Sequence, residues 1–388
     1  MSTTIYLVRH AEAEGNIGRR CHGHYDSRLT RRGLQQADIV GARFADKQLD
    51  AVYSSDLWRA RHTALAIAKP HHLPVIERRA LREIYMGDWE DKAWAALPIM
   101  EPPLYDQWCN RPWECRPPKG ETIMESGARA LDEMRRIAKE EDGKTVVVVS
   151  HGSAIRGILT LALGLRADEM MQVGWGDNTC VAKLIFHADG TIDVPYRNDN
   201  SHLPKEMSTF YSLKWSDSVD VPASPQMWFR PVNWDDANDK KMALEMFHQI
   251  YWPTYGRDAY TDEQIEARLR SFQSVCPDAV AFGMLGQEIG GIIAMNTLEN
   301  RDTEIGEMGG TCILEKNRGF GFGPQLMCHA VSTYRRMGKT VLQAKPAKHN
   351  PGAVKFYSRN EFEPVGECTE NGSTFMILQR RISTAEPD

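Results

Sequence analysis

An arginine beside a histidine at the end of an apolar run, Leu7-Val8-Arg9-His10, has the residue types needed to move a phosphoryl group. Glu12 and Asn16 follow closely, and a second histidine, in Ser150-His151-Gly152, comes directly after four valines. A histidine nucleophile needs one free ring nitrogen, with the other held by a hydrogen bond that fixes the tautomer. Attack on a phosphate monoester also needs positive charge around the phosphate oxygens, because catalysis there is mostly electrostatic. Arg9, Arg59 and His151 can supply that charge around an attacking His10, and Asn16 adds a neutral donor. The departing alkoxide needs a proton. Glu83, in Leu81-Arg82-Glu83-Ile84, is the candidate acid, since a carboxyl beside a dianionic ligand is driven toward its protonated form.

A second group lies far downstream. Arg318-Gly319-Phe320-Gly321-Phe322-Gly323 stands between an apolar stretch and a helical one, with Pro324 suited to a first helical turn. Alternating glycines let backbone amides approach a pyrophosphate, and a helix N-terminus favours the anion. A dinucleotide fingerprint fails here, because no early parallel-strand unit with a later ribose acid surrounds the loop. The chain therefore carries two unrelated phosphate-handling signatures, and two active sites are expected.

The elements that must position these residues follow from periodicity. Residues 4–8 are β-branched and apolar, 30–44 have helical spacing, 50–54 read as a short strand and 59–68 as an alanine-rich helix. Residues 125–141 form an amphipathic pattern, and 145–149 are a continuous apolar strand of the kind buried on both faces of a parallel sheet. Alternating strands and helices predict an α/β architecture with helices on both faces of the sheet. Both histidines then fall at the carboxyl edge, where open α/β sheets bind ligands. Regularity fails around 198–225, where Val221-Pro222-Ala223-Ser224-Pro225 has linker composition. The expected division is a first domain at 1–205, a linker at 206–226 and a second domain at 227–388. Strands are expected again near 228–232, 280–284, 289–296, 306–314 and 340–344.

Bulk properties bound the function. At 388 residues, 42% hydrophobic and 26% charged, the chain is a soluble globular type of two domains. A net charge of -5 gives no reason to expect nucleic acid or a polybasic membrane surface as partner. No apolar run approaches the roughly 20 residues that span a bilayer. Strand-like sequence begins by Ile5, so no signal peptide is expected, and the eight cysteines form no C-x-x-C pair. A reduced, cytoplasmic setting without structural zinc is the default expectation.

Further ordered pieces join the first group: Asp26 through Leu29-Thr30, Gly33, Gln36-Ala37, Ser54-Ser55-Asp56-Leu57 with Arg59-Ala60 and Thr63-Ala64, then Glu83 with Gly87 and Trp89-Glu90. Pro118-Lys119-Gly120-Glu121-Thr122 and Arg129 precede the Ser150-His151-Gly152 run. Together they resemble the histidine phosphatase superfamily, which includes the cofactor-dependent phosphoglycerate mutases, over about the first half of the chain. The resemblance implies a three-layer α/β/α fold, a phosphohistidine on His10, a phosphate pocket of Arg9, Asn16, Arg59 and His151, and proton transfer by Glu83. Ala11 stands where that family usually has glycine. Mutase members carry a long insertion after the acid; the short stretch from Glu83 to Gly120 favours hydrolysis. His22, His24, His62, His71 and His72 read as ordinary structural residues, although 22–25 could border the substrate.

The second group, with Asn350-Pro351-Gly352-Ala353-Val354-Lys355-Phe356-Tyr357 and Phe362, resembles the GNAT acetyltransferases over roughly 228–380. That resemblance implies an α+β domain with a central mixed sheet that binds acetyl-CoA through Ile313, Leu314, Arg318, Gly319, Gly321, Gly323 and Asn350, with Tyr357 as acid. Glu307, on the strand before the loop, is open between a base and an ordinary exposed carboxylate. Phe356 and Phe362 read as core, and Trp252, Tyr255 and Tyr260 as either acceptor contacts or packing.

The combined expectation is a bifunctional enzyme without a metal, acting on a small phosphate ester and an amine, and compatible with a homo-oligomer. Two other readings stay open: a phosphatase regulated by a non-catalytic acetyl-CoA-binding module, and a pair of activities directed at proteins. Specificity is expected in the loops at 111–119 and 251–260.

Overall fold

A computed structural model describes residues 1–214, 225–256, 259–370 and 372–385. The chain separates into two compact units, one of Met1–Lys92 and Leu97–Ser224 and the other of Ala93–Ala96 and Pro225–Asp388.

The first unit is built on strands β1 (Thr3–Arg9), β2 (Ala51–Ser54), β3 (Val75–Glu77), β4 (Thr145–Ser150), β5 (Val181–Phe186) and β6 (Ile192–Asp199). Their spatial order is β3-β2-β4-β1-β5-β6. The first four are parallel, and β5 and β6 add antiparallel strands at one edge. The valines of β4 explain the three layers. Side chains of a strand alternate between faces. Val146 and Val148 pack with Ile5, Leu131, Met134 and Ile158 on one face, while Val147 and Val149 pack with Val40, Phe44, Ala64 and Ile67 on the other. The helices that cover the sheet are α2 (Arg31–Phe44) and α3 (Trp58–Ala68) on the second face, and α6 (Ile123–Glu140) and α7 (Gly152–Ala162) on the first. Short helices α1 (Glu14–Gly18), α4 (Leu97–Met100), α5 (Pro102–Asn110) and α8 (Thr209–Leu213) occupy the connections. Helix α6 begins in a reciprocal capping box between Thr122 and Glu125. It crosses α7 so closely that a Cβ on Gly127 would stand 2.5 Å from the Gly157 backbone.

The second unit contains β7 (Trp228–Pro231), α9 (Ala237–Tyr255), α10 (Asp262–Val275), β8 (Val280–Leu285), β9 (Glu288–Asn296), β10 (Ile305–Ile313), α11 (Phe322–Arg336), β11 (Val341–Ala344), α12 (Pro351–Arg359), β12 (Glu363–Glu370) and β13 (Ser373–Arg381). They form one mixed sheet in the order β12-β13-β11-β10-β9-β8-β7. Only β10 and β11 run parallel, and their pairing stops at Glu307 opposite Gln343. Beyond that point β10 carries an irregularity between Met308 and Gly310 and continues along β9 alone. A gap therefore opens beside the last residues of β10.

The expected linker at 206–226 meets the structure in two ways. Its first residues belong to the first unit: Thr209 is buried and donates to Glu12 Oε2 at 3.1 Å, and Gln36 donates to the Met207 carbonyl at 2.7 Å. Residues 215–224 lie outside the described residues, as do 257–258 of the expected specificity loop. Among the described residues no helix is long and apolar enough to cross a membrane.

Candidate active sites

In the first unit, Arg9 of β1 stands opposite Ser150 of β4, so the residues that follow, His10 and His151, emerge side by side at the carboxyl edge. Their ring centroids are 5.2 Å apart. The His10 amide donates to the Ser150 carbonyl at 2.9 Å, and its Nδ1 lies 2.7 Å from the Ala11 carbonyl. A carbonyl only accepts, so Nδ1 carries the hydrogen and Nε2 keeps its lone pair. Burial first, then the Arg59 and Arg9 charges, hold the His10 imidazole well below its usual range, which keeps it neutral.

Several buried polar atoms around it have no hydrogen-bond partner among the described residues. His151 is fully buried, and neither ring nitrogen has a hydrogen-bond partner among the described residues. Burial, then Arg59 and His10, depress its basicity in the same manner. Arg9 donates from Nη1 to the Gly176 carbonyl at 2.6 Å and lies 5.7 Å from the Phe210 ring, while its buried Nε has no partner. Buried polar atoms left unsatisfied are rare.

Arg59 is held differently. Fully buried, it donates to the Tyr25 carbonyl at 3.0 Å and the Gly23 carbonyl at 2.7 Å. The amides of Gly23, His24 and Tyr25 in turn donate to the Glu90 carboxylate. The segment at 22–25 is thus fastened against the expected phosphate pocket. The Glu83 carboxylate accepts from the Ser153 amide at 3.1 Å and the Ala154 amide at 2.9 Å, in the first turn of α7, which directly follows His151. Asn16 caps α1, with Oδ1 accepting from the Ala13 amide at 2.8 Å; no contact joins it to the imidazole pair. Glu12 anchors the loop after β1 through Thr30, Arg32 and Thr209.

In the second unit a cavity of about 790 Å³ fills the gap beside β10. Ile313, Arg318, Gly319, Gly321, Gly323, Asn350 and Tyr357 line it, and of the expected cofactor set only Leu314 does not. Gly321 caps α11 at φ 81°, and Gly319 precedes it at φ 84°, both in the left-handed region that favours glycine. Asn350 caps α12, its side chain accepting from the Ala353 amide at 3.2 Å. Burial pushes the Tyr357 hydroxyl up to about 12, so it stays protonated. Phe356 lines the cavity and is not purely core, whereas Phe362 is buried.

Glu307 corrects one alternative. It is not an exposed strand carboxylate: it is 2% exposed, where β10 and β11 part, accepting from Gln343 Nε2 at 2.8 Å and Asn300 Nδ2 at 3.2 Å. Burial pushes its pKa up to about 7. The cavity wall starts at the next residue, Met308.

Residues 5–199 match the model of the histidine phosphatase superfamily (branch 1). The chain belongs to that superfamily. Residues 244–362 match the acetyltransferase (GNAT) family, so the chain joins domains of two enzyme families. A probable phosphoglycerate mutase GpmB of Serratia proteamaculans is 36% identical over 163 residues, which is 42% of this chain and 76% of that one. A metal-independent phosphoserine phosphatase of Arabidopsis thaliana is 37% identical over 159 residues, 40% of this chain and 67% of that one. The solved structure of Bacillus stearothermophilus YhfR, at 32% identity and TM-score 0.50, covers 52% of this chain and 98% of its own.

Two residues near the histidine phosphatase site were not marked in the sequence. Phe210, against Arg9, lies in what reads as linker. Asp177, which accepts from the Phe210 amide at 3.2 Å and from Ser208 Oγ at 2.5 Å, has no local pattern to mark it.

Proposed function

We propose that the first unit hydrolyses a phosphate monoester through a phosphohistidine on His10, and that the second transfers an acetyl group from acetyl-CoA to an amine. The observation that carries the first half is a fixed nucleophile beside buried polar groups without partners: His10 Nδ1 is engaged by Ala11, while Arg9 Nε and the ring nitrogens of neutral His151, one of them a donor, have no partner among the described residues. His10 Nε2 bonds to phosphorus as the ester P–O bond breaks, and Glu83 protonates the leaving oxygen. The Glu83 carboxylate then takes a proton from water, whose oxygen bonds to phosphorus as the N–P bond breaks. Inorganic phosphate leaves and His10 is restored. The named relatives include both a mutase and a phosphatase. The short stretch between Glu83 and Gly120 supports hydrolysis.

The second unit fits acetyl-CoA because open space surrounds Gly319 and Gly321, where a Cβ would meet nothing within 4 Å, at the N-terminus of α11. When bound there, the cofactor supplies a thioester carbonyl open to attack by an amine. With the cofactor held there, Glu307 would take the amine proton through a relay and the Tyr357 hydroxyl would give a proton to the leaving thiolate. Fusion supports a shared substrate or pathway for the two units.

The test follows phosphate and free thiol in parallel with the full chain. Incubation with p-nitrophenyl phosphate gives an acid-labile, base-stable phosphoprotein that disappears in His10→Gln, with turnover lowered at least about 10³-fold. An amine panel with acetyl-CoA gives thiol release. Unchanged hydrolysis in His10→Gln overturns the first half, and acetyl-CoA bound without transfer to any amine overturns the second.

A further inference from the structure

The cavity of the second unit has two chemically opposite ends. One is cationic: Arg318, Lys355 and Arg359 line it beside the glycine loop. The other is aromatic. Tyr251 and Tyr255 of α9 and Phe375 of β13 line it, with ring centroids 5.9 Å apart for Tyr251–Tyr255 and 6.1 Å for Tyr255–Phe375. Tyr260 completes the cluster, 5.0 Å from Tyr251 and 5.5 Å from Tyr255.

Charge at the aromatic end is already committed. Lys345 is the cation that lines it, and its Nζ is ion-paired to Glu299 and lies 4.0 Å from Glu370. Glu370 also acts on Tyr255, and both carboxylates act on the buried Glu307. Three carboxyl groups thus surround one engaged ammonium. Arg268 on α10 also influences Tyr251 and Tyr255; it is exposed, as Glu299 and Glu370 are, and water screens all three. An independent feature points to a ligand: the Tyr251 hydroxyl is buried, on a side chain that lines the cavity, and has no hydrogen-bond partner among the described residues.

Resting on the reading of this unit as an acetyltransferase, we propose that the aromatic end receives an unphosphorylated, cationic amine carried on a flat apolar body. Aromatic faces attract an ammonium group, and surplus carboxylates retain it. The Tyr251 oxygen offers an acceptor to its N–H groups. A phosphate dianion placed there would lose its water against carboxylates, with the nearby lysine already paired. A metabolite bearing both groups must therefore lose its phosphate before it can be acetylated, which makes hydrolysis the earlier of the two reactions.

Tyramine and its phenolic phosphate ester are a matched probe pair. The full-length His10→Gln chain is used so that the ester survives the assay. Thiol release from acetyl-CoA is measured with each, and tyramine binding is measured separately by calorimetry. The expected kcat/KM for tyramine exceeds that of the ester by at least about 30-fold, and Glu370→Lys narrows the ratio by about fivefold or more. Tyr255→Ala weakens tyramine binding about tenfold. An ester acetylated as well as tyramine overturns the inference and leaves the acetyltransferase reading standing. Acetylation of anionic amines by a chain that does not bind tyramine has the same meaning. Tyramine bound but no amine acetylated overturns the acetyltransferase reading instead.

Discussion

The proposed attack by His10 rests on what its neighbours leave free. Ala11 holds one ring nitrogen, burial and two arginines keep the ring neutral, and the lone pair on the other nitrogen faces no competing donor. The acid role proposed for Glu83 would matter according to the leaving group. Glu83→Gln should slow hydrolysis of an alkyl phosphate by about 10²- to 10⁴-fold, but that of p-nitrophenyl phosphate far less, because nitrophenolate departs without a proton. Comparing the two substrates in the variant checks this. Glu307 makes a pH prediction. Its carboxyl titrates at about 7, so it is protonated below that value and a base above it. The kcat for acetyl transfer should rise as pH increases through 7, and Glu307→Gln should remove that inflection and lower kcat about 100-fold. That His10 and His151 end neighbouring strands was legible from the sequence. The burial of Glu307 was not, because it comes from Gln343 and Asn300, which lie on other elements.

At the scale of elements, the crossing of α6 and α7 sets where His151 and Glu83 meet, since His151 directly precedes α7 and the first amides of α7 hold the Glu83 carboxylate. Gly157 and Gly127 touch backbone to backbone, so Gly127→Ala must push the helices apart. A loss of about 1–3 kcal/mol is expected by chemical denaturation, together with reduced hydrolysis and unchanged acetyl transfer. Continuous apolar runs made β1 and β4 readable, and the amphipathic period made α2 and α6 readable. The segment from Lys205 to Leu213 was hidden for a physical reason: a three-residue turn and a five-residue helix are too short to show a period. What holds them is contact with Glu12, Gln36 and Asp177, far away in sequence.

At the scale of the molecule, the buried imidazoles tie stability to pH. Folding depresses His10, His151, His22 and His24, and brings His202 down to about 4. The unfolded chain therefore binds more protons once pH falls below about 6.5, so stability of the first unit falls with acidification through that point. Scanning calorimetry should show its transition dropping between pH 7 and pH 5. Inorganic phosphate should recover part of the loss, because it binds only the folded unit and reverses the penalty for charging His10 and His151.

The stacking of Phe210 on Arg9 also decides where this chain can be divided. A half severed after residue 205 would surrender the ring that backs the Arg9 guanidinium, and with it Thr209's hold on Glu12. Severed after Lys214, it would keep both, so the seam between the two catalysts lies past α8 and not at the turn-rich residues before it.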